Sequence, residues 1–193
     1  MPTTLLNDRD IMCYVKAGAM IEPFVDHQVR FNTFGAKVIS YGLSSFGYDV
    51  RLADEFRIFN SPSCDWIMDP HDPIPHIRPW TRMTANDIVI SPNSMILGRT
   101  LEYIKMPVNG MAICLGKSTY ARLGLIVNVT PLEPAWHGHI TIELSNTTPQ
   151  PLRVYANEGI AQLVFFTGER PTITYADRDG KYQGQTGVTL AKL

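Results

Sequence analysis

The sequence is short of cysteine, of net charge and of long apolar runs, and each shortage excludes a class of protein. Its three cysteines, Cys13, Cys64 and Cys114, are far apart, odd in number and form no C-x-x-C pair. A disulfide framework is therefore excluded and reduced thiols are expected, with Cys114, between Ile113 and Leu115, in the core. Lys and Arg total 17 against 18 Asp and Glu, giving a formal net charge of -1 and a pI near 6.5. No global positive field is available for polymeric nucleic acid or an anionic membrane, so an anionic ligand must be met by a local cluster. No apolar segment is long enough to span a bilayer, and the opening MPTTLLNDRD lacks the basic start and apolar run of a signal peptide. The expectation is a soluble, cytoplasmic protein. Internal repeats and low-complexity blocks are missing too, and 193 residues suit one domain with a core that needs no disulfide or metal.

What is present is mostly β pattern. Asn7 or Asp8 can cap one short helix, whose Ile11, Tyr14 and Val15 follow i, i+3, i+4, with Gly18 as its stop. From Ile21 onward short β-rich runs are separated by Gly, Pro, Asn and Asp: 37–40, 48–52, 56–59, 88–91, 94–105, 111–115, 125–129, 139–145, 152–155 and 162–166. That spacing predicts an all-β sandwich or barrel. Five prolines between Asn60 and Trp80 forbid a regular ladder and predict a surface excursion. Its Asp69, His71, Asp72 and His76 are read as ordinary exposed loop residues, with no metal ligand assigned. After Gly168 the chain turns polar, with little to fill a core; composition favours a frayed terminus over a tail that folds on a ligand.

The stretch 115–146 carries the chemistry. Gly116 and Gly124 bracket Lys117, Ser118, Thr119 and Arg122, so a tight segment presents two cations, two hydroxyls and backbone N–H groups. This is either an anion cradle or a solvated turn. Downstream, 139–145 alternates at period two, placing Thr141, Glu143 and Ser145 on one face and Ile140, Ile142 and Leu144 on the other. Glu143 alone would be the wet face of a strand. A phosphate cradle one hairpin away from a carboxylate flanked by hydroxyls is what nucleotide hydrolysis requires. Trp136 is either a core aromatic or a flat apolar surface for a sugar, and Gln162, an amide between apolar strand residues, suggests a ligand or interface contact.

Gly-Lys-Ser-Thr-Tyr-Ala-Arg-Leu-Gly, Val-Asn-Val-Thr-Pro-Leu-Glu-Pro-Ala-Trp and Gly-His-Ile-Thr-Ile-Glu-Leu-Ser-Asn, in that order, closely resemble the dCTP deaminases, relatives of the trimeric dUTPases. The likeness extends to Ile39-Ser40-Tyr41-Gly42, to Phe46-Gly47-Tyr48-Asp49-Val50-Arg51 and to Gly180-Lys181-Tyr182-Gln183-Gly184-Gln185, and is weakest over 60–80. The resemblance implies a mainly β, dUTPase-like distorted barrel or jelly roll with a short N-terminal helix. It implies a homotrimer in which 1–193 is one domain and 168–193 a tail closing over the nucleotide. It also implies hydrolytic deamination of dCTP to dUTP and ammonia, supplying dUTP for dUMP and thymidylate synthesis, with thymidine triphosphate as a feedback ligand.

Such a reaction needs an activated water and protons for N3 and for the departing amine, which one carboxylate can move in turn. The zinc deaminases use an H-x-E and P-C-x-x-C signature, absent here. Glu143 is the candidate general base and acid, with Ser118 holding the water and Arg122 balancing charge, and the resemblance ties these three positions to catalysis. The resemblance assigns substrate contacts to Lys117, Ser118, Thr119, Tyr120, Ala121 and Arg122. It also marks Glu133, Trp136, Thr141, Ile142 and Glu143, and more distantly Gln162, Tyr175, Lys181 and Gln185. Magnesium would travel with the triphosphate, without zinc. Alternatives are a two-step enzyme releasing dUMP and pyrophosphate, a dUTPase, and a non-catalytic deoxynucleotide-binding regulator. The segment 131–138 departs from the dUTPase pattern by placing the longer Glu133 where an Asp would lie, which argues for dUTP as the product.

Overall fold

The computed structural model of the chain describes residues 4–60, 69–71 and 80–192. The proline-rich excursion, with Cys64, Asp72 and His76, lies outside the described residues save at its ends and at 69–71. In chain order the elements are β1 (Thr4–Leu5), α1 (Asp8–Gly18), β2 (Ile21–Glu22), β3 (Gln28–Phe31), β4 (Lys37–Ser44), β5 (Gly47–Arg51), β6 (Glu55–Phe59), β7 (Trp80–Thr84), β8 (Asp87–Ile90), β9 (Ser94–Lys105), β10 (Gly110–Gly116), α2 (Ser118–Ala121), β11 (Leu125–Asn128), β12 (His137–Asn146), β13 (Leu152–Tyr155) and β14 (Gly159–Thr167). Among the described residues no helix is long and apolar enough to cross a membrane.

Asn7 caps α1 by accepting from the Arg9 and Asp10 N–H groups, while the Asp10 carboxylate accepts from the Asn7 N–H, closing a capping box. The stop differs from the expectation. Gly18 is helical, and the left-handed residue is Ala19, at φ 50°, whose N–H bonds the Val15 carbonyl. Ile11 is fully buried, and Tyr14 and Val15 pack beside it. A second helix not expected from the sequence, the single turn α2, occupies the segment read as a loop.

The strands pair antiparallel throughout. One sheet runs β1-β14-β5-β4-β3, with β10 also on β14; another runs β11-β12-β9-β6-β7, with β2 also on β9; β13 and β8 form a third. The expected strands are all present, half of them longer by one to several residues and the rest within one residue of the expected bounds, whereas β1, β2, β3 and β7 carry no apolar alternation strong enough to read. Tyr48, Val50, Leu163 and Phe165 of the first sheet and Phe56, Ile96, Ile142 and Leu144 of the second join one core. Each such side chain contributes roughly 1.5–3 kcal/mol by leaving water, which is why register is firmly specified on both sheets. Cys13 and Cys114 are free thiols.

One irregularity positions the strand that matters. Opposite β9, β12 shifts register between His139 and Thr141, and the Ile140 N–H donates to the fully buried Thr100 hydroxyl at 2.9 Å. Thr100 in turn donates to the Glu102 carbonyl at 2.7 Å. The Glu102 carboxylate is itself buried and accepts from Arg51 Nε at 2.7 Å and from the Arg51 N–H at 2.9 Å. Burial pushes the Glu102 carboxyl up and Arg51 opposes that.

Candidate functional site

The alternation of β12 holds as read: Ile140, Ile142 and Leu144 face the core, while Thr141, Glu143 and Ser145 are half-buried on the other face. Thr141 and Glu143 form one wall of a cavity of about 720 Å³. Trp80 of β7, Met95 and Leu97 of β9, residues 129–133 and Trp136 of the connection before β12, Ile140 of β12 and the C-terminal tail form the rest. Glu143 accepts from Asn128 Nδ2 at 3.1 Å across the β11–β12 ladder. Burial raises its carboxyl above the ordinary Glu range, and its own backbone N–H and Asn128 only partly offset this. A carboxyl whose proton affinity is raised in this way suits taking up a proton and giving it back. Cys114 is no competing nucleophile, because burial and the nearby Glu143 push its thiol up to about 12.

The tail does not fray. The Tyr182 carbonyl accepts from the indole N–H of Trp136 at 2.9 Å, the Tyr175 N–H donates to the Pro134 carbonyl, and Gln185 bridges Gly138 in parallel. Gly138 is glycine for a reason: a Cβ there would meet the Gln185 nitrogen at 2.8 Å. Gly180 serves the same end, since a Cβ would run into the Tyr175 ring at 2.0 Å. Thr141 pins the tail twice, donating to Gln185 Oε1 at 3.2 Å and accepting from the Thr189 N–H at 3.1 Å. Glu133 is ion-paired with Arg178. Composition misses this because the tail is held by hydrogen bonds to one strand and one loop rather than by an apolar face of its own. Of its residues, Tyr175, Lys181 and Gln185 were expected at the site; Tyr182 and Thr189 were not, and neither carries a sequence signal beyond the glycines around them.

The second group of candidates lies elsewhere. None of Lys117, Ser118, Thr119, Tyr120, Ala121, Arg122 or Gln162 lines the cavity. Lys117 does not offer a free cation, for its ammonium donates to Asp49 at 2.6 Å and to Ser40 at 3.2 Å, and both partners of that ion pair are largely buried. Tyr120 is buried, with its hydroxyl accepting from the Tyr155 N–H, so α2 can offer a ligand only its backbone there. Ser118, Thr119, Ala121 and Arg122 are exposed, and Arg122 Nη1 folds back on the Ser118 carbonyl at 3.1 Å. Gln162 donates to Ser44 at 3.0 Å and sits in register between Leu115 and Asp49. Ile142 turns its side chain to the core and does not line the cavity either. Beside this second group runs an exposed apolar stripe of Met111, Ile113 and Leu115 on β10, with Leu123 and Ile126.

Comparison with known proteins matches residues 5–168 to a family model described as dCTP deaminase-like. The dCTP deaminase of Herpetosiphon aurantiacus is 54% identical over 187 residues, covering 96% of this chain and 97% of that protein. That of Acinetobacter baylyi is 52% identical with the same coverage. Among solved structures, 2'-deoxycytidine 5'-triphosphate deaminase from Agrobacterium tumefaciens superposes with a TM-score of 0.63 at 18% identity, over 87% of this chain and 49% of that one. This chain thus spans about half the length of the Agrobacterium protein, and at that identity the likeness is one of fold.

Proposed function

We propose, from the premise that this chain belongs to the dCTP deaminase-like family, that it is an enzyme hydrolysing the 4-amino group of dCTP to give dUTP and ammonia. One observation carries the mechanism: a half-buried, raised-pKa Glu143 faces a closed-over cavity large enough for a nucleotide. Glu143 takes a proton from water as its oxygen bonds to C4, passes it to N3, and then shuttles a proton to the amine as the C4–N bond breaks. Ser118 and its neighbouring N–H groups hold the water, and Arg122 balances the carboxylate. Trp136 presents its ring to the cavity while its N–H is occupied by the Tyr182 carbonyl, so a ribose 2′-hydroxyl would find no partner there. That favours a deoxyribose.

Ser118 and Arg122 belong to the group that lies outside the cavity of their own chain. This split supports a site completed by another copy, and the exposed stripe of Met111, Ile113 and Leu115 offers the apolar surface for such a contact. The reading is a homotrimer of single-domain subunits working in the cytoplasm, with the segment from residue 168 as each site's lid. Thymidine triphosphate, sharing the deoxyribose and triphosphate, would compete for the same site. Magnesium enters with the triphosphate and supplies charge neutralisation.

The reading of dUTP as product rests on Glu133, a carboxylate one methylene longer than the Asp of the dUTPase pattern whose place it takes, and its ion pair with Arg178 supports this. Incubation with dCTP and magnesium is expected to release ammonia without pyrophosphate. Pyrophosphate in step with ammonia would identify the two-step enzyme; pyrophosphate from dUTP without ammonia would identify a dUTPase; binding without turnover would identify a regulator.

A further inference from the structure

On the face of the second sheet that bears Glu143 lies a guanidinium without an acceptor. Glu143 stands opposite Leu97 on β9, Leu97 opposite Arg57 on β6, and Arg57 opposite Arg82 on β7. Residues directly opposite share a face, and strands lie about 4.8 Å apart, which puts the Arg57 backbone about 10 Å from that of Glu143. Arg57 Nε is shut off from solvent and has no hydrogen-bond partner, and among the described residues Arg57 has no ion pair. A buried donor left unsatisfied is costly, and two arginines directly opposite one another add repulsion. Among the described residues that line the cavity beside them, the carboxylate is Glu55, which accepts from Arg99 Nε at 3.0 Å and meets Arg82 Nε only at 3.4 Å. Two guanidinium groups, those of Arg82 and Arg99, thus share Glu55, and Arg57 is left without a carboxylate among the described residues.

Glu55, Arg57 and Arg82 line a polar cavity of about 440 Å³ whose other wall is the tail from Gln183 to Thr189 together with Lys192. The tail passes so near the sheet that a Cβ on Gly187 would lie 3.3 and 3.4 Å from the two Glu55 oxygens. Gln185 and Thr189 line this cavity and the Glu143 cavity alike. We propose that the cavity of Arg57 and Arg82 is a second anion site, which takes a phosphate group in the angle between sheet and tail and thereby holds the tail shut over the Glu143 cavity. A tetrahedral oxyanion meets both unmet demands, offering acceptors to the orphaned Arg57 and to Arg82 while separating their charges. The binding site stands on the geometry alone; its effect on catalysis rests on the tail being the lid of the deaminase site.

The test is limited trypsin digestion of the full-length protein, following cleavage after Arg178 and Lys181 while inorganic phosphate or tripolyphosphate is titrated at constant ionic strength. Phosphate is expected to protect the tail, and Arg57→Gln and Arg82→Gln each to raise the concentration required at least about tenfold. Arg122→Gln should leave the protection in place. Arg82 is mostly exposed, so its replacement reads the site without endangering the fold. Protection by tripolyphosphate alone identifies the polyphosphate end of a nucleotide as the ligand, and protection by phosphate as well identifies a free anion. No protection by either anion, or protection lost in Arg122→Gln and kept in the Arg57 and Arg82 variants, overturns the proposal. Ammonia release from dCTP in phosphate-free buffer, measured alongside, tests the deaminase reading separately.

Discussion

At Glu143 burial and reactivity have one cause. The strand that exposes a carboxylate on its non-core face also places it under the tail and beside Leu97, where desolvation raises its proton affinity. Glu143→Gln keeps size and hydrogen bonding but removes the proton acceptor, so dCTP binding should persist while turnover falls at least about a hundredfold; steady-state kinetics with a binding titration checks both halves. The same shift has a stability consequence. A carboxyl whose folded pKa is raised favours the fold below the ordinary Glu pKa and loses that contribution as pH rises through the higher folded value. Glu143→Gln should therefore melt above the parent protein near neutral pH, and the gap should close as pH falls towards 4; calorimetry across that range decides. Glu143 was legible in the sequence because alternation at period two is a strong signal. The role of Lys117 was not, since nothing local shows that a lysine between two glycines will bury its ammonium against Asp49 on a distant strand.

Among elements, the tail is where pattern and structure part. Polar, glycine-bearing composition argues for fraying, yet 168–192 is held by single bonds to particular atoms of β12 and of the connection before it. Such bonds leave no periodicity behind; only Gly138 and Gly180, kept free of side chains for close approach, hint at them. Thr141→Val removes both tail bonds of Thr141 at small cost in volume. Trypsin should then cut after Lys181 severalfold faster, and KM for dCTP should rise more than kcat falls. Unchanged digestion would mean that the remaining contacts suffice to seat the tail. The strands of the core were legible to within a few residues, while β1, β2, β3 and β7, short or polar edges, depend on partners the sequence does not display.

For the whole molecule, the proposed shared site rests on two observations, the exposed stripe of β10 and the separation of Ser118 and Arg122 from the Glu143 cavity. Ile113→Asp, at an exposed position of that stripe, should leave the fold intact but shift sedimentation towards monomer and abolish deamination. Mixing Glu143→Gln with Arg122→Gln subunits and reassembling them should restore part of the activity, because some interfaces then combine an intact carboxylate with an intact arginine; no recovery in verified mixed assemblies would favour self-contained sites. The bridge between Gln185 and Gly138 adds an order in time. A chain made from its N-terminus on a ribosome can pair its strands while the last residues are still in the exit tunnel, so each subunit is born with an open pocket and acquires its cover last. In the proposed assembly, a polypeptide that ends prematurely near Gly180 would keep every strand named above, join intact copies, and spoil the sites it shares with them.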